Sequence, residues 1–434
     1  MEPNHRGPRP VAVALIDGNN FYASCEAVVD PSVLGRPLVV LSNNDGCIVS
    51  RSREARSLGI AMGVPYFQVK RSLECQGVLV RSSNYALYAD MSQRLMATLE
   101  RWVEELEIYS IDEAFGQLHR PQGDGDLSQW ALQLRHAVQC QLGLPVAVGV
   151  ASTKVLAKLA NKLAKGNQAH GGILDLGAID DPDPYLEAVA IEDVWGIGRK
   201  LSRWCRLRGV ADARALRDMA SGELRHKCGV VGVRLQQELR GVACLPLTVL
   251  PAAKRETCVS RSFGQPIREL GQLREAIATY LARAAEKLRQ QRQCTGMVTV
   301  FVRSSPFNGT SFYSRAATVG LAVPSNDTAV LLAAALPLAE QLFHPHKPLQ
   351  KAGVLMQQLV GDGLLQHHLL VSLSPEQQRK REVLMATIDG LNHRYGQGSV
   401  QWAACGLNAP WRMGRSRLSR AATTKLEAIP TARA

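Results

Sequence analysis

Two adjacent carboxylates, Asp112 and Glu113, interrupt a run otherwise suited to a buried strand: Tyr109-Ser110-Ile111-Asp112-Glu113-Ala114-Phe115. Ionised carboxylates are rarely buried unless they are paired or hold a metal. Neighbouring side chains on a regular strand point to opposite faces, so both acids can serve one centre only where the strand ends or turns. The sequence predicts that Phe115-Gly116-Gln117-Leu118 folds back as a partner strand, presenting the pair at an edge. Two acids need a further ligand. Asp17 is the candidate, at the tip of the unbroken apolar run Val11-Ala12-Val13-Ala14-Leu15-Ile16 and beside Gly18. Standing alone, Asp17 would read as a turn or capping residue. Joined to the pair, it completes a set of hard oxygen ligands suited to magnesium or manganese, ions that usually also engage substrate phosphates.

Cationic groups that could meet such phosphates follow. Arg53 and Arg56 lie three apart and share a face if helical, where they could fork around phosphate oxygens; a solvated charged helix is the alternative. Lysines 154, 158, 162 and 165 form nearly one stripe of an amphipathic helix, either solvated or in contact with phosphates. Further on, Val194-Trp195-Gly196-Ile197-Gly198 precedes Arg199, Lys200, Arg203, Arg206 and Arg208. Hydrophobic-Gly-x-Gly between two helices lets backbone N–H groups meet a DNA phosphate without reading the base sequence.

These groups need a large scaffold. The 434 residues imply roughly three to four domains. Val11–Ile16 reads as a central strand, and Tyr85, Leu87, Tyr88, Met91, Leu95, Met96, Leu99 and Trp102 have helical spacing. A helix to about Cys140 and a strand at Val146–Val150 come next. Strands alternating with two helices suggest a ferredoxin-like split βαβ layer. After a boundary at 171–184 comes a compact helical region, and a Pro-punctuated linker (244–253) leads to a second small α/β module with basic strand ends. The arginine-rich segment Trp411–Arg420 is expected to be an arm.

Lysine and arginine exceed aspartate and glutamate by 51 to 38, a net charge of +13 that favours polyanions. No apolar stretch of about 18 residues and no signal-peptide pattern is seen, which predicts a cytoplasmic protein without a membrane partner. The ten cysteines include no C-x-x-C pair and are expected to be reduced.

Asp17…Phe21-Tyr22, Ser110-Ile111-Asp112-Glu113-Ala114, Lys165 and Gly196-Ile197-Gly198 together resemble the Y-family translesion DNA polymerases. Longer stretches resemble the UmuC branch of that family, among them Phe21-Tyr22-Ala23-Ser24-Cys25-Glu26, Leu41-Ser42-Asn43-Asn44-Asp45-Gly46-Cys47, Tyr88-Ala89-Asp90-Met91-Ser92 and Ser260-Arg261-Ser262-Phe263-Gly264. The resemblance implies a multidomain α/β (α+β) right hand. Its parts would be a ferredoxin-like palm (11–20 and 84–172), small fingers (21–83), a helical thumb with a helix-hairpin-helix (173–245), an α/β little finger (254–360) and a partly flexible C-terminal extension (361–434).

The resemblance also implies an error-prone, template-directed polymerase that inserts deoxynucleotides opposite and past lesions in the SOS response, without proofreading. Asp17, Asp112 and Glu113, with the Gly18 carbonyl, would bind two Mg2+ ions, for which Mn2+ could substitute. Tyr22 would be the steric gate against a 2′-hydroxyl, with Arg53, Arg56 and Lys165 on the triphosphate. Arg53 stands where the family often has tyrosine. Gly196, Gly198, Arg199, Lys200, Arg261 and Arg303 would contact DNA. Implied partners are primer-template DNA, deoxynucleotides, a cleaved UmuD-type dimer, a RecA filament and a sliding clamp. Clamp binding would be weakened, because Gln366-His367-His368-Leu369-Leu370 lacks the aromatic anchor. The competing readings are a catalytically silent DNA-binding scaffold of the same fold and a nucleotide cyclase.

Overall fold

The computed structural model describes residues 11–120, 126–307, 311–364, 374–423 and 426–429. They form two compact units. One comprises residues up to Ser42, Cys47–Pro251 and Arg417 onward; the other comprises Asn43–Gly46 and Ala252–Ser416. Among the described residues no helix is long and apolar enough to cross a membrane. All ten cysteines are free.

The first unit is built on a five-stranded sheet with Val11–Gly18 at its centre. Glu113–His119 and Val146–Ala151 flank that strand antiparallel, and Glu105–Ile108 and Ile173–Asp175 lie outside them. Alternation along the central strand decides which helix meets which residue. Ala12, Ala14 and Ile16 share a core with Leu87, Tyr88 and Leu95 of helix Tyr85–Leu99 and with Leu134 and Val138 of helix Ser128–Leu142. Val13 and Leu15 pack on the other face against Ala157, Ala160 and Ala164 of helix Lys154–Gly166. Asp17, two residues beyond Leu15, therefore faces the lysine-bearing helix. The two helices and the order of the inner strands are those of the expected split βαβ layer.

The lysine-bearing helix lies unusually close to the sheet because position 149 has no side chain. A Cβ built on Gly149 would stand 2.2 Å from Asn161 N and 2.4 Å from Ala157 O, both backbone atoms. The closeness lets the buried Asn161 amide donate to Leu15 O (3.2 Å) and Ala147 O (2.9 Å). Gly149→Ala is expected to cost about 3 kcal/mol, since backbone cannot rotate out of the way. A urea midpoint unchanged from wild type would contradict this packing.

Within the same unit, Leu38–Leu41 pairs parallel with Leu79–Ser82 and antiparallel with Ile48–Arg51. The helical region has its own core of Leu186, Val189, Ile191, Val194, Ile197, Cys205 and Leu216. Glu238, fully buried there, accepts backbone N–H groups of Val155 (3.2 Å), Cys244 (2.6 Å) and Leu245 (2.8 Å), which supplies the bonds that a buried acid requires.

The second unit is an antiparallel sheet in the order Ser314–Ser325, Gln293–Ser304, Leu349–Gly361, Thr257–Ile267, packed on helices Leu270–Gln290 and Thr328–Leu342. Its end strand Ser314–Ser325 is an addition to the expected elements; Ala317, Val319, Leu321 and Val323 alternate along it and stay half exposed. The region beyond Gly361, expected to be irregular, contains the helix Pro375–Tyr395, opened by a reciprocal Ser374/Gln377 capping box and tied by Asp389 to Arg289 at 2.6 Å. Trp411 is not part of an exposed arm. It is 4% exposed and sits edge-on to Tyr280 and Phe263 in the core.

Candidate active site

Glu113 reaches the face of Asp17 by a different turn from the one anticipated. Phe115–Leu118 does not fold back; it continues the strand that starts at Glu113. The chain turns earlier, between Ile108 and Glu113, so the partner strand is Glu105–Ile108. Ser110 builds this turn. Its hydroxyl donates to Asp112 Oδ1 (2.6 Å) and accepts the N–H groups of Asp112 (3.2 Å) and Glu113 (3.0 Å). The reason lies in pairing: Glu113 stands directly across the ladder from Asp17, so the strand cannot end there. Directly opposed residues share a face. Asp112 joins through its backbone, its carbonyl accepting the Gly18 N–H at 2.8 Å.

Both opposed carboxylates meet lysines from the helix packed on that face. Lys165 Nζ lies 2.6 Å from Asp17 Oδ2, and Lys158 Nζ 3.2 Å from Glu113 Oε2. The rest of the stripe is likewise engaged: Lys162 with Asp193 at 2.9 Å, and the buried Lys154 with Glu107 and with Pro246 O at 2.8 Å. The stripe is thus neither simply solvated nor free for phosphates; each lysine has a carboxylate partner. Lys158 is further fixed over the Tyr109 ring at 4.5 Å and the Trp195 ring at 5.3 Å. Burial pushes the Asp17 carboxyl up to about 7 against the pull of Lys165, with Glu113 across the ladder adding to the rise.

Asp17, Arg56, Glu113, Lys158, Lys162 and Lys165 line one open cleft of about 480 Å³. Arg53 is not among its lining residues; it opens the five-residue helix Arg53–Ser57 and is exposed. Tyr22 lies at the start of helix Phe21–Val29, stacked on Tyr88 with centroids 4.3 Å apart and planes 10° from parallel. Asp112 is near enough to raise its phenol pKa, after burial and Tyr85.

None of the residues expected at DNA is among those that line this cleft. Gly196 has φ +90°, a left-handed turn that a side chain would strain. Gly198 precedes helix Arg199–Arg206, and Gly198, Arg199, Arg203 and Arg206 line a second open cleft; Lys200 is exposed beside it. In the second unit, Arg303 and Arg261 belong to opposite faces of the sheet. Arg303 is paired in register with Lys351 on the open face, whereas Arg261 alternates with the buried Val259 and Phe263 on the helix-covered face. They do not form one basic surface. Gln366–Leu370 falls outside the described residues.

Among the described residues no three His, Cys, Asp or Glu side chains are gathered so that they could hold a metal ion. The donor set nevertheless fits a hard divalent cation in kind: partly buried carboxylate oxygens, held against positive charge. Sequence reasoning missed what supports this set. Asn161, Glu107 and Asp193 carry no motif, and only the tertiary packing of one helix brings them into play.

The models of the impB/mucB/samB family and of its C-terminal domain match residues 16–162 and 254–369. A domain of unknown function matches residues 382–432. Protein UmuC of Salmonella typhimurium is 41% identical over 95% of this chain and 98% of its own length. The chain belongs to the impB/mucB/samB family. Protein SamB of Salmonella typhimurium is 38% identical over 97% of this chain and 99% of its own, and DNA polymerase IV of Desulfatibacillum aliphaticivorans 28% identical over 90% and 95%. A solved Y-family DNA polymerase chimera shares the fold, with a TM-score of 0.60 at 20% identity over 80% of this chain and 99% of its own. The protein is therefore a Y-family DNA polymerase of the UmuC type, an enzyme of translesion DNA synthesis. Enzymes of this family depend on metal ions.

Proposed function

We propose that this polymerase extends a primer opposite and past lesions from the cleft at Asp17, with Mg2+ as its metal. The supporting observation is the register that sets Asp17 across from Glu113 in a cleft that also holds Arg56 and Lys165; Asp112, not among the lining residues, is joined to the same strand by its carbonyl, which accepts the Gly18 N–H. Asp17, Asp112, Glu113 and the Gly18 carbonyl are the ligands in this reading. Two such ions, when bound, supply charge stabilisation to the attacking and leaving oxygens. Lys165 exchanges Asp17 for the triphosphate, and Arg56, which lines the same cleft, grips the same phosphates. Tyr22 lies under the deoxyribose, where a 2′-hydroxyl meets its ring.

In this reading the five-stranded layer is the palm (11–20 and 84–172), with fingers at 21–83, thumb at 173–245, little finger at 254–360 and extension beyond. Gly196, Gly198, Arg199 and Lys200 hold template backbone through the thumb. Arg303 is the better placed of the two little-finger arginines, being on the open face. A cleaved UmuD-type dimer, a RecA filament and a sliding clamp are the proposed protein partners.

Single-nucleotide insertion on an undamaged primer-template separates polymerase from scaffold. Extension by wild-type protein supports the reading; primer-template binding without extension overturns it. Metal affinity provides a second test. With its carboxyl near 7, Asp17 is protonated below that pH and must lose the proton to ligate. Mg2+ affinity is expected to rise about tenfold from pH 6 to pH 8, with proton release on binding measured by calorimetry in two buffers. Equal affinity at both pH values would remove Asp17 from the ligand set.

A further inference from the structure

The C-terminal extension carries a matched domain of unknown function, residues 382–432, and the structure places part of it behind the nucleotide site. The connection starts at Tyr22. Glu26 lies one helical turn beyond it, so both side chains leave the same face of helix Phe21–Val29. Both engage Tyr88, which is fully buried: Tyr22 stacks on its ring, and Glu26 Oε1 accepts its hydroxyl at 2.6 Å. Tyr85 closes the cluster edge-on to both rings, at 6.3 Å from each. A ring held on one side by stacking and on its tip by a buried acid has little freedom to tilt, and the ring stacked on it shares that restriction.

Glu26 is itself 1% exposed, and its Oε2 has no hydrogen-bond partner. A buried acid of this kind requires satisfaction from some neighbour. The Tyr88 hydroxyl supplies it at Oε1, while burial raises the carboxyl pKa. The extension reaches this cluster through Ser419, whose oxygen accepts Asn84 Nδ2 at 2.9 Å. Ser419 is brought there by backbone pairing. Ser82 N donates to Arg417 O (3.0 Å), Arg417 N donates to Ser82 Oγ (3.0 Å), and the Arg417 guanidinium lies 5.7 Å from the Tyr66 ring centre. Asn84, which holds Ser419, also caps helix Tyr85–Leu99, the helix that carries Tyr88.

We infer that the segment Arg417–Ser419 is a positioning element of the nucleotide site: through Ser419, Asn84 and the helix that carries Tyr88 it fixes the angle of Tyr22 and so sharpens selection of deoxyribose over ribose. This gives the end of the extension a part in sugar selectivity that is carried by a relay of side chains rather than by contact with substrate. The inference rests on the reading of Tyr22 as the sugar gate.

The test uses the full-length polymerase and measures kcat/KM for a deoxynucleotide and the matching ribonucleotide during single insertion. Ser419→Ala and Tyr88→Phe are expected to reduce the ratio about five- to tenfold, by raising ribonucleotide use while deoxynucleotide kcat/KM stays within about twofold. Ser419→Thr keeps the hydroxyl and is expected to retain the wild-type ratio. Tyr22→Ala is run beside them. If Tyr22→Ala loses discrimination while Ser419→Ala and Tyr88→Phe keep it, the relay is overturned and the gate stands. If Tyr22→Ala keeps discrimination, the gate reading fails and takes the relay with it. Equal losses for both sugars in Ser419→Ala would also overturn the proposal, since support of the fold alone does not distinguish the two.

Discussion

Asp17→Asn is expected to lower the insertion rate by about a thousandfold or more, with primer-template affinity unchanged. The substitution keeps the size of the side chain and removes the charge that faces Glu113 across the ladder and Lys165 from the helix. Its effect on stability is expected to have the opposite sign. Burial raises the folded-state pKa of Asp17 to about 7, above its ordinary value of 3.8. The native state therefore holds the proton more tightly than the unfolded chain does. The stability this confers is present at acid pH and is lost as pH rises through about 7. Asparagine stays neutral, so at pH 8 the variant is expected to melt at or above the wild-type temperature while being inactive. A variant within tenfold of wild-type activity would show that this carboxylate is not at the reacting phosphate. A variant that has simply unfolded would show that the site and the fold are not separable in the way the ion pairs suggest.

Tyr22→Ala is expected to raise ribonucleotide insertion so that sugar discrimination falls about 100-fold, while deoxynucleotide insertion changes far less. The half-buried ring stacks on a fully buried partner and cannot retreat from a 2′-hydroxyl without breaking that stack. Competition between a ribonucleotide and its deoxy counterpart on one template measures the ratio directly. Tyr22→Phe, which keeps the ring, is expected to retain it.

How much of this was legible beforehand depended on whether the determinant was local. Asp17 could be read because an acid ends an unbroken apolar strand, and Val11–Ile16 is that strand at the centre of the sheet. The helices carrying Tyr88 and the lysine stripe followed from their spacing. The position of the turn at the acids did not follow, because Tyr109-Ser110-Ile111 before the pair and Ala114-Phe115 after it both suit a strand. What settles the turn is Ser110, whose one hydroxyl serves three groups. The partners of the lysines were likewise hidden: Asp17, Glu113, Asp193 and Glu107 are distant in sequence from the residues they meet. A stripe of cations at helical spacing looks the same whether water, phosphate or carboxylate faces it. The placement of the C-terminal segment was least legible, since Arg417 and Ser419 pair with Ser82 and Asn84 more than 300 residues earlier.

The central claim is that one carboxylate-lined cleft in this chain synthesises DNA past damage. The direct measurement is extension of a primer across a single abasic site by the purified polymerase, with a cleaved UmuD-type dimer and an activated RecA filament added as the proposed partners, for wild type and Asp112→Asn. The expected result is full-length product from wild type and none from Asp112→Asn, at equal binding of primer-template. Wild-type extension that halts at the abasic site, or bypass by Asp112→Asn at the wild-type rate, would contradict the account.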